Sequence, residues 1–246
     1  VDGEGNLEVY DGSLRLKSAD GRILEEVPSQ QYASIINEAV EGWSYLKFPY
    51  YSKKAFPDGM YRVGPLGRLN VCDGVDTPLA REAAKEFKRA GGNRPVHSTM
   101  FYHWARMIEL VHFMEKAQRI LEDESTCSTD IVRSSQPRNA EGIGVTEAPR
   151  GTLIHHYHTN ERGVITRVNL IVATGHNNLA MNRSVMEVAR QYVDGGQIPE
   201  GALNRFEAAI RCYDPCLSCS THAVGQMPLT VEVLSAKGEL VQTLSR

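Results

Sequence analysis

Apolar and polar residues alternate along residues 7–27 of the chain, with breaks at Asp11-Gly12 and Ala19-Asp20-Gly21. Period-two alternation between turn residues predicts a small antiparallel meander over residues 7–10, 14–17 and 23–27. The period then lengthens. Tyr32, Ile35, Ile36 and Val40 fall on one helical face after Ser29, so a helix capped by that serine is predicted. From Trp43 to Asn70 neither period holds, and rings, glycine and proline crowd together, as in Lys47-Phe48-Pro49-Tyr50-Tyr51. So aromatic a stretch predicts a long ordered loop packed by its own rings, not a disordered linker.

Helical signals return at Thr77, placed to cap a polar helix ending at Gly91-Gly92. Ser98 opens the longest predicted helix, to about Glu122, with Trp104, Met107, Ile108, Val111, Met114 and Leu121 as its core stripe. Residues 123–143 read as a polar connection. A β-branched run from Val164 to Val172 is predicted to pair with residues 152–158 across Thr159-Asn160-Glu161-Arg162-Gly163. Asn178 then caps a helix with Val185, Met186, Ala189, Tyr192 and Val193 inward, closed by Gly195-Gly196. A further helix follows Pro199, over residues 200–212, and a last strand–turn–strand covers 229–234 and 239–244 around Lys237-Gly238. Long helices with small antiparallel sheets make an α+β fold with a long-helix bundle core.

Composition narrows the class without naming a function. At 246 residues with 41% hydrophobic and 23% charged positions, the chain is an ordinary globular protein that can bury a substantial core. Its net charge of −3 gives no basic field for nucleic acid, and no apolar run reaches the roughly 20 residues of a membrane span. The first residues, Val1-Asp2-Gly3-Glu4-Gly5-Asn6, read as a turn inside a β region without an initiator Met, which predicts a fragment or processed chain. Five cysteines, an odd and sparse count, fit a reducing cytoplasm rather than a disulfide framework. Cys72 and Cys127 read as inert thiols, and Cys212 as a core residue.

The chemistry concentrates in Asp214-Pro215-Cys216-Leu217-Ser218-Cys219-Ser220-Thr221-His222. A Cys-x-x-Cys lets two soft thiolates reach one metal, and a histidine follows within reach. The pair is half of a tetrahedral thiolate shell. A dithiol redox pair fits less well, because no thioredoxin-like βαβ pattern precedes it. A structural zinc site using Cys216, Cys219 and His222 in a non-catalytic binding module stays open.

Glu147-Ala148-Pro149-Arg150-Gly151 sets an arginine after a proline at the mouth of a strand, where its fixed donors can address a small polar or anionic ligand. Ala173-Thr174-Gly175-His176-Asn177-Asn178 puts a hydroxyl and amides at a strand–helix turn. Of His155, His156 and His158, alternation sends the last two to one face, with no acidic partner in view, and they read as surface or core residues. His103 and His112 lie a quarter-turn out of phase on their helix, which disfavours a shared metal.

At Asp-Pro-Cys-x-x-Cys-x-x-His the sequence resembles the C-terminal half of the large, catalytic subunit of [NiFe] hydrogenases, most nearly the soluble NAD-linked bidirectional group. The likeness runs through Trp43-Ser44-Tyr45-Leu46-Lys47-Phe48-Pro49-Tyr50-Tyr51, Arg62-Val63-Gly64-Pro65-Leu66, Leu69-Asn70-Val71-Cys72-Asp73 and the Arg150 motif. It implies Cys216 as a terminal nickel ligand and Cys219 as a thiolate bridging nickel to an iron that carries CO and cyanide. It implies Arg150 above the open metal position as base or electrostatic partner, Pro149 and Asp214 beside it, and Thr174 as a hydrogen-bond donor to a cyanide. His222 and the Leu170 carbonyl would hold a magnesium or similar ion.

The resemblance further implies reversible heterolytic oxidation of H2, with electrons passing through iron–sulfur clusters of a small subunit to flavin-bearing diaphorase subunits and NAD. Two departures follow. The family's second Cys-x-x-Cys, near its N-terminus, has no counterpart here, so the N-terminal half of the subunit is a further expected partner and this chain alone is expected to be inactive. Residues 223–246 continue past His222, where the family usually loses a tail to a maturation endopeptidase. The expected division is therefore 1–222 as subunit domain and 223–246 as a removable extension.

Overall fold

A computed structural model describes residues 1–131, 139–193, 198–199, 201–216 and 230–245. Prolines open its first two helices, at positions where a missing N–H leaves no bond unmade. α1 (Pro65–Val71) follows Gly64 at φ 82°, and α2 (Pro78–Ala90) follows Thr77 and ends at Gly91 as the sequence predicts. The Thr77 hydroxyl does not cap α2. It bonds the buried His112 Nδ1 at 2.9 Å, and Glu115 accepts the Leu79 and Ala80 N–H groups instead. Both partners lie on α3 (Phe101–Glu122). The three helices bury Leu66, Leu69, Ala84, Phe87, Tyr102 and Ile108 in the largest apolar cluster.

The expected core stripe of α3 is largely on its other side. Tyr102, Ala105, Ile108, Glu109 and His112 are buried, whereas Trp104, Met107, Met114 and Leu121 are exposed. The helix is apolar on both sides, so periodicity does not single out the inner one. Glu109 and His112 face inward because each has a polar partner there.

Among the described residues, four small antiparallel sheets complete the α+β fold. β1 (Ser13–Lys17) pairs with β2 (Ile23–Pro28), as predicted. Residues 7–10 are not a third strand of that sheet: Leu7 N–H bonds the Gly74 carbonyl, and the Val9 carbonyl accepts from Glu147 N–H. The helix expected after Ser29 is a 3-10 turn, Ser29–Ser34, followed by β3 (Ile36–Val40). β3 pairs with β4 (Lys47–Tyr51), a tertiary partner that overrides the helical spacing of a short apolar run. The aromatic stretch thus holds a strand and α1, although Trp43, Phe48, Tyr50 and Phe56 do pack ring against ring.

The central sheet runs β5 (Glu141–Ala148), β6 (Gly151–Thr159), β7 (Ile165–Ile171), each antiparallel to the next. The β6–β7 pairing matches expectation; β5 replaces the end of the supposed polar connection. Tyr32 closes one face of this sheet over Ile154 and Ile171.

A 3-10 turn, Ala173–Asn177, leads into α4 (Asn178–Tyr192), so Asn177 rather than Asn178 stands at the helix start. Val185, Ala189 and Val193 pack toward α5 (Ala202–Cys212), while Met186 faces out. The hairpin β8 (Thr230–Leu234) and β9 (Leu240–Ser245) covers the same cluster through Val231, Val233 and Leu244. Gly195-Gly196 and Leu229 lie outside the described residues. Among the described residues no helix is long and apolar enough to cross a membrane.

Candidate metal centre

Arg150 sits in the two-residue turn that joins β5 to β6, with Ala148 paired opposite Gly151. The turn is set by close backbone packing. A Cβ on Gly151, whose φ is +146°, would fall 2.3 Å from Val63 Cγ2, and one on Gly64 would fall 3.0 Å from the Arg150 carbonyl oxygen. Only glycine allows these segments to touch.

Beneath the turn lies a residue that no sequence motif singles out. Arg68 on α1 is buried and uses all five of its N–H donors. Nε and Nη2 bond the Glu109 carboxylate at 2.7 and 2.6 Å, and Nη1 bonds Glu147 at 2.7 Å. The other two donate to the carbonyls of Ala148 at 2.9 Å and Pro149 at 3.1 Å. Burial opposes the charge, but the two carboxylates outweigh it and hold the guanidinium above its ordinary pKa. Glu147 also accepts the Thr152 hydroxyl. A signal did exist: Glu109 stands alone between Ile108 and Leu110 in an apolar run, where a carboxylate needs a cation.

The loop carrying the first cysteine reaches Arg150 from α5. Tyr213, buried at the helix end, stacks 4.8 Å from the Tyr102 ring, and its hydroxyl lies 2.8 Å from Ser184 Oγ. Asp214 then turns the chain at φ 50°, a left-handed conformation that Asp tolerates better than most residues. Arg150 Nε donates to the Asp214 carbonyl at 2.7 Å and lies 3.3 Å from its carboxylate. Two residues on, the Cys216 N–H donates to Thr174 Oγ1 at 3.2 Å. As acceptor in that bond, Thr174 keeps its own proton to donate elsewhere.

The structure thus brings together Pro149, Arg150, Thr174, Asp214 and Cys216. Leu170 lies apart from these contacts on β7, paired with His155. Cys219 and His222 lie outside the described residues. Cys72 and Cys212 are buried, and burial raises the pKa of both thiols, as suits packing rather than ligation. The assembled corner, a cysteine beside a fixed cation and a hydroxyl donor, fits one side of a soft metal bearing anionic ligands.

The sequence profile of the nickel-dependent hydrogenases matches residues 7–222, and the chain belongs to that family. It is 46% identical over all of its length to the NAD-reducing hydrogenase HoxS subunit beta of Cupriavidus necator, covering 51% of that protein. It is 42% identical, over 98% of its length and 52% of the relative's, to a chain of the vhc F420-non-reducing hydrogenase of Methanococcus voltae. A crystal structure of an NAD+-reducing [NiFe]-hydrogenase in the H2-reduced state superimposes with a TM-score of 0.84 at 43% identity, over 90% of this chain and 49% of that one. The chain spans about half the length of the relatives it matches.

Proposed function

We propose that this chain is the C-terminal part of the catalytic subunit of a [NiFe] hydrogenase, working in the reversible heterolytic oxidation of H2 to protons and electrons. The observation that carries the reading is Arg150, clamped across Asp214 beside the Thr174–Cys216 contact. Cys216 and Cys219 would hold nickel, Cys219 bridging to an iron with CO and cyanide ligands, and the N-terminal half of the subunit would add the remaining thiolates. That centre, when bound, supplies the redox-active metals for cleavage of the H–H bond. Arg150 is permanently charged and would set that charge beside the reacting position, which favours an electrostatic role over that of a base. Thr174, whose hydroxyl proton is not used in its bond to the Cys216 N–H, would offer that proton to a cyanide. His222 and the Leu170 carbonyl would ligate magnesium or a similar ion.

Likeness to proteins named for NAD reduction supports a route through an iron–sulfur small subunit to flavin-bearing diaphorase subunits and NAD. The family match ends at His222, which supports removal of residues 223–246 by an endopeptidase. The test is metal content and turnover of the assembled complex. Nickel and iron are expected with H2-dependent NAD+ reduction, and Cys219→Ser abolishes the activity. A complex without nickel and iron, or a Cys219→Ser complex that turns over normally, would overturn the reading.

A further inference from the structure

At the far end of the β5–β6 hairpin from Arg150, three ligating side chains converge. Glu141 on β5 lies directly opposite His158 on β6, and His156 is two residues along the same face. His156 Nε2 is 2.7 Å from Glu141 Oε1, and His158 Nε2 is 3.9 Å from the same oxygen. The two imidazole centroids are 4.7 Å apart, and one ligand atom from each of the three residues lies within 4.8 Å of the others. The acid that local sequence does not offer is supplied across the ladder, by a residue in a stretch read as a connection.

One of these side chains, His156, is also oriented. Tyr32, a buried residue, holds its hydroxyl 2.9 Å from His156 Nδ1, and Asn169, paired with His156 on β7, donates to the same hydroxyl at 3.3 Å. The phenol can accept Nδ1–H, which leaves the Nε2 lone pair facing Glu141 and His158. A hydrogen bond to the ring nitrogen that does not ligate is the usual support of a metal-bound histidine. The histidine side chains are 17% and 32% exposed, at the rim of the apolar cluster formed by Tyr32, Ile143 and Ile154.

We propose that Glu141, His156 and His158 form a binding site for one divalent transition-metal ion, Zn2+ as first choice. Two imidazoles and a carboxylate are the ligand set of open three-protein-ligand zinc sites, while magnesium and calcium prefer all-oxygen shells. Bonds of about 2.0–2.2 Å in tetrahedral geometry separate ligand atoms by roughly 3.3 Å, and the observed 2.7 and 3.9 Å bracket that spacing. A bound ion joins β5 to β6 at the open end of the hairpin whose turn carries Arg150.

The test uses the assembled complex containing this chain, dialysed against a chelator and titrated with Zn2+ alone, with zinc and nickel counted per chain. The wild type is expected to take up one zinc more than the His156→Gln/His158→Gln variant, at unchanged nickel. Tyr32→Phe is expected to weaken uptake about 10- to 100-fold. Equal zinc in wild type and double variant overturns the site. Should the double variant fail to assemble, Glu141→Gln, which keeps the shape and removes the charge, decides it: undiminished zinc affinity refutes the proposal. Because the readout is a zinc difference, it stands apart from the nickel and iron measurement above.

Discussion

Arg150 is held by contacts that a lysine could not reproduce. Its Nε donates to the Asp214 carbonyl at 2.7 Å and its Nη2 approaches that residue's carboxylate at 3.5 Å, a two-point hold set by a planar fork. Lysine offers a point charge on a flexible stem. Arg150→Lys is expected to slow H2 cleavage about 100- to 1,000-fold, the range seen when one preorganised electrostatic donor is removed, with nickel and iron content unchanged. Loss of the metals in that variant would make Arg150 a clamp for the Asp214 loop instead.

His176 gives a second expectation at this scale. It is buried against the Tyr61 ring, and burial lowers its pKa to about 4. The folded chain therefore keeps it neutral, whereas the unfolded chain binds a proton below the ordinary value near 6.5. Stability is present above that value and is lost as pH falls toward about 4. The cost from pH 7 to pH 5 is about 2 kcal/mol. His176→Gln cannot titrate, so the stability difference between wild type and variant should change by that amount between the two pH values in urea unfolding. A pH-independent difference would remove the assignment. Asp214, Cys216 and Arg150 stood out in the sequence because each lies in a short motif. Neither the burial of His176 nor the role of Arg68, whose acceptors are 41 to 81 residues away, has a local signature.

At the scale of elements, the β5–β6 hairpin positions Arg150, and α1 props the hairpin through Arg68. The strut is a buried cation between two carboxylates, so removing the cation leaves Glu109 charged and unpaired in the core. Arg68→Met is expected to cost about 3–5 kcal/mol, measured as a shift in the denaturation midpoint, with a matching loss of H2 turnover. A cost under about 1 kcal/mol would mean that the network relaxes into water and is not a strut. The legible elements were those with strong punctuation: α2 between Thr77 and Gly91, β6–β7 across an Asn-Glu-Arg-Gly turn, and β8–β9 around Lys237-Gly238. β3 was misread because five residues satisfy either period, and only β4 decides between them. α1 was hidden by its length of seven residues, too short to show a periodicity.

At the scale of the whole molecule, the outer side of α3 is a feature that packing among the described residues leaves unexplained. Met107, Leu110, Met114 and Leu121 are each more than half exposed. Their spacing of three, four and seven residues, with Ala117 between the last two, is that of a helix-packing seam. The expectation of Met107, Met114 and Leu121 as core was therefore misplaced for the described residues, yet the pattern they form with Leu110 is a core pattern. Burying four such side chains is worth roughly 6–12 kcal/mol before association costs. The chain spans about half of its relatives, and the proposed function predicts that the N-terminal half of the subunit covers this side. Leu110→Glu with Met114→Lys changes side chains that already face out, so the chain's own helices and sheets should persist. The same pair should abolish recovery of this chain with the N-terminal half when the two are co-expressed, and should raise the solubility of the chain expressed alone. Undiminished co-purification would show that the seam is not where the halves meet. The same result with lost nickel would place the seam's contribution at the metal centre, through α3's Glu109 and the Arg68 strut it anchors.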